Sequence, residues 1–207
     1  KLFWVGDIMD ILMEKINKTY GDKEVLKDFT AKFQEGTVTF ITGESGIGKT
    51  SIIRILMGLE VYQSGSISGM EDKQVSVVFQ DDCLCDKLSL YKNLKMVLDG
   101  LEYKDQDLGG LLDMFGLGDY DHKRVAELSG GMKRRLAILR AILYPHNLMI
   151  MDEPFKGLDE ENKKLVMGQV GKSLVGKTAI IVTHDKTEIV FFRSIEGLAI
   201  REIDMKK

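Results

Sequence analysis

One short stretch, GESGIGKTS at residues 43–51, constrains the fold and chemistry of this chain more than any other. An alternating run at 37–42 precedes it and predicts a β-strand, and an apolar run at 52–57 follows it and predicts an α-helix. Together they contain the complete pattern GxxxxGKT, which is typical of a phosphate-binding loop. The alternative is a plain glycine-rich turn before an ordinary helix, which would not require the Lys-Thr pair.

Each part of this loop has a predicted role in holding a polyphosphate. The glycines permit a tight turn whose backbone N–H groups, aided by the positive end of the following helix, bind anionic oxygens. Lys49 is expected to reach the β- and γ-phosphates, and Thr50 to give its hydroxyl to Mg²⁺. A dinucleotide-binding fingerprint would need glycine or alanine where Ser51 stands, so that class is disfavoured. The predicted nucleotide-binding residues here are Gly43, Glu44, Ser45, Gly46, Ile47, Gly48, Lys49, Thr50 and Ser51.

Length and composition narrow the class of protein further. A chain of 207 residues, 44% of them hydrophobic, can bury the core of a single domain. Its formal net charge of −3 offers no basic surface, so a nucleic-acid partner is disfavoured. Cys83 and Cys85 lack a second pair to complete a zinc site, and we expect reduced thiols in a cytosolic protein.

The chain contains no apolar run long enough for a membrane span and no secretory leader, so we expect a soluble protein. Residues 1–8, KLFWVGDI, precede Met9, and we interpret them as a remnant of cloning.

The next part predicts strands at 11–16 and 25–33 around a turn at 18–23. Tyr20 in this turn is suited either to stacking on a purine or to capping the sheet. Further along, 64–69 predicts a hairpin corner and 197–203 a closing strand.

Polar residues follow three further runs that predict buried strands. The run at 74–79 ends at Gln80, the run at 148–151 ends at Asp152 and Glu153, and the run at 178–183 ends at His184. Because ligands bind at the carboxyl ends of parallel strands, these residues are expected to converge where the phosphate-binding loop begins.

These four side chains have distinct expected roles. Gln80 is placed to meet Mg²⁺ or the attacking water, and Asp152 can hold Mg²⁺ through its water shell. Glu153 can orient and deprotonate the water that attacks the γ-phosphate. For His184 the alternative is a loop histidine whose hydrogen bonds are satisfied without any role in the site.

The stretch between Asp81 and Asn147 has apolar residues at helical spacing and predicts an inserted helical lobe. Near its end, Ser129, Gly130 and Gly131 precede a helix that Pro145 stops. A hydroxyl, bare backbone N–H groups and a helix dipole suit a second phosphate contact, and a simple serine N-cap is the alternative.

The order of these parts, from about Met9 to the end, closely resembles the nucleotide-binding subunit of ABC transporters. The matching motifs are GESGIGKTS as Walker A, Gln80 in VVFQD as the Q-loop, LSGGM as the signature, LMIMDEP as Walker B, GLD at 157–159 as the D-loop and IVTHD as the switch histidine. The resemblance implies an α/β fold with a P-loop NTPase core, a mainly parallel sheet, an antiparallel β subdomain and an inserted helical subdomain. It also implies one domain over 9–207, with the helical subdomain at about 82–146. Met132 departs from the glutamine that is usual there.

The resemblance also implies roles for residues and partners. ATP and Mg²⁺ would be bound, with Tyr20 stacking on adenine and Asp159 of the D-loop at the nucleotide. The implied catalytic residues are Lys49, Glu153 and His184, and the implied metal ligands are Thr50, Gln80 and Asp152. In a head-to-tail dimer, Ser129, Gly130 and Gly131 of one copy would close over ATP held by the other.

Two functional hypotheses follow from this resemblance. In the first, the chain is a cytoplasmic ATPase, peripheral on the cytoplasmic face of the membrane, that docks on transmembrane permease subunits beside Gln80 and powers transport. DEPF, LSGGM and the QDDCL region are more similar to bacterial importers than to exporters. In the second, it is a soluble ABC-type ATPase of a cytosolic assembly complex, such as iron–sulfur assembly.

Overall fold

The computed structural model describes residues 9–98 and 105–205, so the predicted remnant at 1–8 lies outside the described residues. The strands are β1 (Ile11–Tyr20), β2 (Lys23–Phe33), β3 (Val38–Gly43), β4 (Ser64–Ser68), β5 (Val75–Val78), β6 (Leu148–Asp152), β7 (Thr178–Val182) and β8 (Ile200–Met205). The α-helices are α1 (Lys49–Leu56), α2 (Leu90–Leu98), α3 (Asp105–Met114), α4 (Gly130–Leu143), α5 (Glu160–Ser173) and α6 (Lys186–Arg193). The chain has the mixed α/β fold that the sequence predicts, with one parallel and one antiparallel sheet.

The five-stranded sheet has the order β5-β6-β7-β3-β8, and every pairing in it is parallel. All residues of β6 and β7 are buried, as continuous apolar runs in a covered parallel sheet should be. Strand β5 is predicted to be buried and is buried only in part. It pairs on one side only, and Val75 and Val77 are half-buried while Ser76 and Val78 are buried.

The antiparallel sheet has the order β2-β1-β4. The predicted hairpin corner at 64–69 is wrong, because residues 64–68 form β4 along the edge of β1. Four of the five β4 residues are exposed serines and glycine, so no apolar alternation reveals the strand. The predicted turn at 18–23 is also too long, since β1 runs to Tyr20 and β2 begins at Lys23.

Helices α2, α3 and α4 lie between β5 and β6 in the chain, and their apolar faces join the main core. Helix α4 begins after Ser129 and ends before Tyr144 and Pro145, as the sequence predicts. Strand β8 starts at Ile200 rather than at 197, because Gly197 lies in a turn with φ 78°. In the described parts of the chain, no helix combines the length and the apolar character required to cross a bilayer.

The close approach of Gly65 in β4 to the backbone of β1 leads to a prediction about stability. A Cβ there would lie 2.6 Å from the carbonyl oxygen of Glu14 and 2.7 Å from that of Lys15, and φ is 112°. Gly58 also has a positive φ, but a Cβ there would meet nothing within 4 Å. We expect Gly65→Ala to lower the free energy of unfolding by roughly 1 to 3 kcal/mol more than Gly58→Ala, the usual cost of overpacking. Urea denaturation measures both, and equal losses would contradict the backbone contact.

Candidate functional site

The parallel register brings the carboxyl ends of the central strands to one edge. Val182 of β7 pairs with Asp152 on one side and with Ile41 of β3 on the other. A cavity of about 530 Å³ opens at this edge. The predicted site residues that line it are Tyr20, Ser45, Gly46, Gly48, Lys49, Thr50, Ser51, Gln80, Asp152, Glu153 and His184. The remaining members of the predicted set do not line this cavity and are described below.

The loop before α1 is shaped to expose its N–H groups. Gly46 and Gly48 have φ values of 78° and 112°, and no acidic residue in the first turn of α1 offsets its positive end. A Cβ on Gly48 would lie 2.8 Å from a methyl of Val25, so only glycine fits beneath strand β2. Lys49 is buried, and its ammonium donates to the carbonyl oxygens of Gly43 (2.7 Å) and Glu44 (2.8 Å). The loop therefore carries a cation and a set of backbone donors suited to an anion.

Thr50 and Asp152 form the part of the site suited to a metal. The Thr50 hydroxyl donates to Asp152 Oδ2 at 3.0 Å, and Gln80 lines the same cavity. Burial raises the pKa of Asp152, while the hydrogen bond from Thr50 acts in the opposite direction. A hydroxyl, a carboxylate and an amide oxygen are hard donors of the kind that Mg²⁺ accepts alongside water and phosphate. These residues therefore fit a magnesium ion.

Glu153 and His184 face each other across the ends of β6 and β7. His184 Nδ1 lies 2.8 Å from each carboxylate oxygen of Glu153. Glu153 has φ 46°, a left-handed conformation that a non-glycine residue keeps only when its surroundings enforce it. One such restraint is the bond from its N–H to the Val182 carbonyl at 2.9 Å.

Tyr20 lies at the mouth of the cavity and has contacts that the sequence did not reveal. Its hydroxyl lies 3.1 Å from Ser51 Oγ and contacts Glu60, and the Lys18 ammonium lies 4.4 Å from the ring centroid. Burial and then the Glu60 hydrogen bond raise the pKa of Tyr20. The residue is 44% exposed and lines the cavity beside the loop. Stacking on adenine stays a prediction.

The predicted signature residues do not line this cavity. Ser129 Oγ accepts from the Met132 N–H at 3.3 Å, so the hydroxyl caps α4. Gly130 and Gly131 line a neighbouring cavity of about 330 Å³ together with Gln80 and Glu153.

The other predicted residues outside the main cavity belong to the loop and to the start of α5. Asp159 caps α5 by accepting from the Asn162 N–H at 2.9 Å. Gly43, Glu44 and Ile47 line a third cavity, next to β8. A Cβ on Gly43 would lie 2.7 Å from the Met205 carbonyl oxygen, which explains the glycine at the end of β3.

Sequence reasoning missed two cations that support the site. Arg134 on α4 is buried and donates to the backbone carbonyls of Gln80 and Glu153. A signal was present, since Arg134 precedes buried Ile138 by four residues and thus shares its helix face. Lys163 on α5 donates to Asp185 Oδ2 at 2.6 Å and contacts Glu188 Oε1 at 2.8 Å, which anchors the segment after His184.

Comparison with known proteins adds an independent observation. Residues 26–156 match the profile of the family described as ABC transporter. The chain is 38% identical over 187 residues to the aliphatic sulfonates import ATP-binding protein SsuB 1 of Paracoccus denitrificans, covering 87% of this chain and 75% of that protein. It is 34% identical over 194 residues to the spermidine/putrescine import ATP-binding protein PotA of Bacteroides thetaiotaomicron, covering 86% and 42%. It is 32% identical over 200 residues to the sulfate/thiosulfate import ATP-binding protein CysA of Yersinia pestis, covering 87% and 55%. The chain thus spans three quarters of the first of these relatives and about half of the other two.

The Lys163–Asp185 pair next to His184 generates a pH prediction. The hydrogen bond from Lys163, followed by that from Thr187, lowers the pKa of Asp185 from 3.8 to about 2. The carboxylate therefore stabilises the folded protein above about pH 4, and this contribution is lost as the pH falls toward 2. In Asp185→Asn the amide can still cap α6, but the charge is gone.

We expect Asp185→Asn to be about 1 kcal/mol less stable than the wild type at pH 7, allowing for the partial exposure of the pair. The difference should shrink as the pH is lowered from 4 to 3. Urea unfolding at a series of pH values measures it, with Asp119→Asn as the exposed control. A difference in unfolding free energy that stays constant down to pH 3 would rule out the lowered pKa of Asp185.

Proposed function

Because the chain belongs to the ABC transporter family, we propose that it is the ATP-hydrolysing subunit of an ABC importer and works with Mg²⁺ at this cavity. The observation that carries the proposal is the meeting of Lys49, the Thr50–Asp152 pair and the Glu153–His184 pair in one cavity. This combination supplies a phosphate-binding cation, hard metal ligands and a candidate base, the parts that phosphoryl transfer to water requires.

Nucleotide binding rests on the loop and its lysine. The backbone N–H groups at 45–50 and the start of α1 bind the phosphate oxygens, and Lys49 lies at the same loop to meet the β- and γ-phosphates. Ser51 and Tyr20, already in contact, border the other end of the cavity, where the nucleoside would lie. Mg²⁺ held by Thr50, Asp152 and Gln80 would offset the negative charge of the phosphates.

Hydrolysis rests on Glu153. Its carboxylate takes a proton from the attacking water, whose oxygen bonds to the γ-phosphorus while the bond to the β–γ bridging oxygen breaks. ADP and inorganic phosphate are the products. His184, at 2.8 Å from both carboxylate oxygens, holds the Glu153 side chain in its orientation toward the cavity.

A second copy of the chain completes the proposed site. Ser129, Gly130, Gly131 and Asp159 lie outside the cavity of their own chain, although the resemblance assigns all four to nucleotide. In a head-to-tail dimer the signature of one copy would lie over the ATP of the other. These residues could then contact nucleotide without lining the cavity of their own chain. Closure then requires ATP, and hydrolysis reopens the dimer.

The proposed membrane partner is a pair of permease subunits on the cytoplasmic face. A cavity of about 270 Å³ beside Gln80 is lined in part by Ile53, Met57, Phe79 and Cys83, and offers apolar surface for such a contact. The three relatives share the word import in their names and differ in the substrate named. The proposal therefore extends to import and to no particular substrate.

Glu153→Gln tests the proposed base. The amide keeps the shape of the side chain but cannot accept the proton, and loss of a general base typically lowers the rate by about a hundredfold to ten-thousandfold. Binding of Mg-ATP through Lys49 and the loop should persist. Phosphate release and ATP binding measure the two effects, and hydrolysis at the wild-type rate would be incompatible with this role.

The Glu153→Gln variant with ATP should also elute as a dimer in size-exclusion chromatography, whereas with ADP it should elute as a monomer.

Ser129→Arg tests the role of the second copy. Because Ser129 lies outside the cavity of its own chain, we expect ATP affinity within about twofold of wild type and hydrolysis lowered by about a hundredfold or more, as for a lost transition-state contact. Ser89→Arg is the matched control, since Ser89 also accepts from a helix N–H, at 3.3 Å, but within the helical lobe. If Ser129→Arg also abolishes ATP binding by the monomer, the cross-dimer role is wrong.

A further inference from the structure

Arg134 is a buried arginine that bonds to two separate segments of the site. It lies on α4, five residues after Ser129, and is 5% exposed. Its guanidinium donates to the carbonyl oxygens of Asp152 (3.0 Å), Glu153 (2.9 Å) and Pro154 (2.7 Å). On the other segment it donates to the carbonyl oxygen of Phe79 (2.6 Å) and to Asp82 Oδ1 (3.2 Å), and more weakly to the carbonyl oxygen of Gln80 (3.4 Å). One side chain thus joins α4, the segment after β5 and the segment after β6.

The chemistry of arginine explains why this residue can make all of these contacts. Burying a charged group is costly unless its hydrogen bonds are satisfied, and here every guanidinium nitrogen has an acceptor. The guanidinium is a rigid plane with five donors, so its acceptors cannot move independently of one another. A lysine would offer three donors at one point and could not span both segments.

The contacts converge on the strained part of the site. The Glu153 backbone has φ 46°, and three consecutive carbonyls, from Asp152 to Pro154, are held by Arg134. The same guanidinium fixes the backbone of Phe79 and Gln80. Arg134 itself does not line the cavity that contains Lys49.

We propose that Arg134 is a positioning residue for hydrolysis: its guanidinium holds the backbones of Glu153 and Gln80 as one unit with the helix that Ser129 begins. The inference rests on the proposed function and deepens it. It makes the placement of the base depend on α4, so movement of the signature displaces Glu153 and Gln80 together. We expect ATP affinity to depend little on Arg134, because Lys49 bonds to the carbonyls of Gly43 and Glu44, and Arg134 holds the main-chain carbonyls of Asp152 and Gln80 rather than the side chains proposed for Mg²⁺.

Arg135 provides a matched control on the same helix. It is also buried, and its guanidinium donates to the carbonyl oxygens of Phe115 (2.6 Å) and Gly116 (3.0 Å), at the end of α3. Arg135→Gln therefore removes a buried guanidinium and its carbonyl contacts without touching the Asp152–Pro154 segment. A purely structural role would give similar effects at the two positions.

The first experiment compares Arg134→Gln, Arg134→Lys and Arg135→Gln in full-length protein. For both Arg134 variants we expect kcat for Mg-ATP to fall about 10- to 100-fold, the scale of a misplacement of about 1 Å, with the Kd for ATP within about twofold of wild type. Arg135→Gln should change kcat less than about threefold at a temperature where it is folded. Arg134→Lys keeps the buried charge and so serves as the variant that folds if Arg134→Gln does not. A kcat for Arg134→Lys equal to that of wild type would overturn the proposal.

The second experiment asks whether Arg134 acts through Glu153. In a Glu153→Gln background, single-turnover hydrolysis should be no more than about threefold slower when Arg134→Gln is added, because effects of residues that act through one another are not additive. A loss by the same factor in both backgrounds would show a structural role and refute the inference. Absence of ATP hydrolysis by the wild-type chain would instead refute the proposed function.

Discussion

The parallel pairing of β6 with β7, and of β7 with β3, is the constraint on which the site depends. Val182 is level with both Asp152 and Ile41, so the residues that follow these strands emerge at one edge. A slip of one residue would reverse the side chains of a strand between the two faces of the sheet. The complete burial of β6 and β7 opposes such a slip, because each apolar side chain already has a place in the core. Core packing thereby fixes the relative positions of the proposed catalytic groups.

The same edge concentrates acidic groups. Asp152 and Glu153 are adjacent, Asp152 is buried, and the proposed substrate carries several negative charges. Lys49 at the start of α1 and Arg134 on α4 provide the compensating positive charge and hydrogen-bond donors, from two different motifs. Lys163 likewise pairs with the carboxylates of Asp185 and Glu188, in the segment that follows His184. The chain is thus an ABC-type ATPase domain in which each acidic segment of the site is tied to a cation from another element.

The sequence predicted the features that local pattern controls. The phosphate-binding loop, the buried runs of β6 and β7 and the capped start of α4 each carry a local signal, and the structure contains all of them. Strand β4 was missed because its serines and glycine show no alternation, and its pairing with β1 is a tertiary contact. The partners of Arg134 lie about 20 and 55 residues away in the chain, and no local pattern reports such distances.

A crystal structure of Glu153→Gln with ATP and Mg²⁺ tests whether the nucleotide binds at the edge where β3, β6 and β7 end. Lys49 Nζ should lie within hydrogen-bond distance of a β- or γ-phosphate oxygen, and the metal should lie at Thr50 and Asp152. The signature glycines of a second copy should contact the same nucleotide. Nucleotide bound away from residues 43–51, or phosphates that do not contact Lys49, would contradict the proposed site.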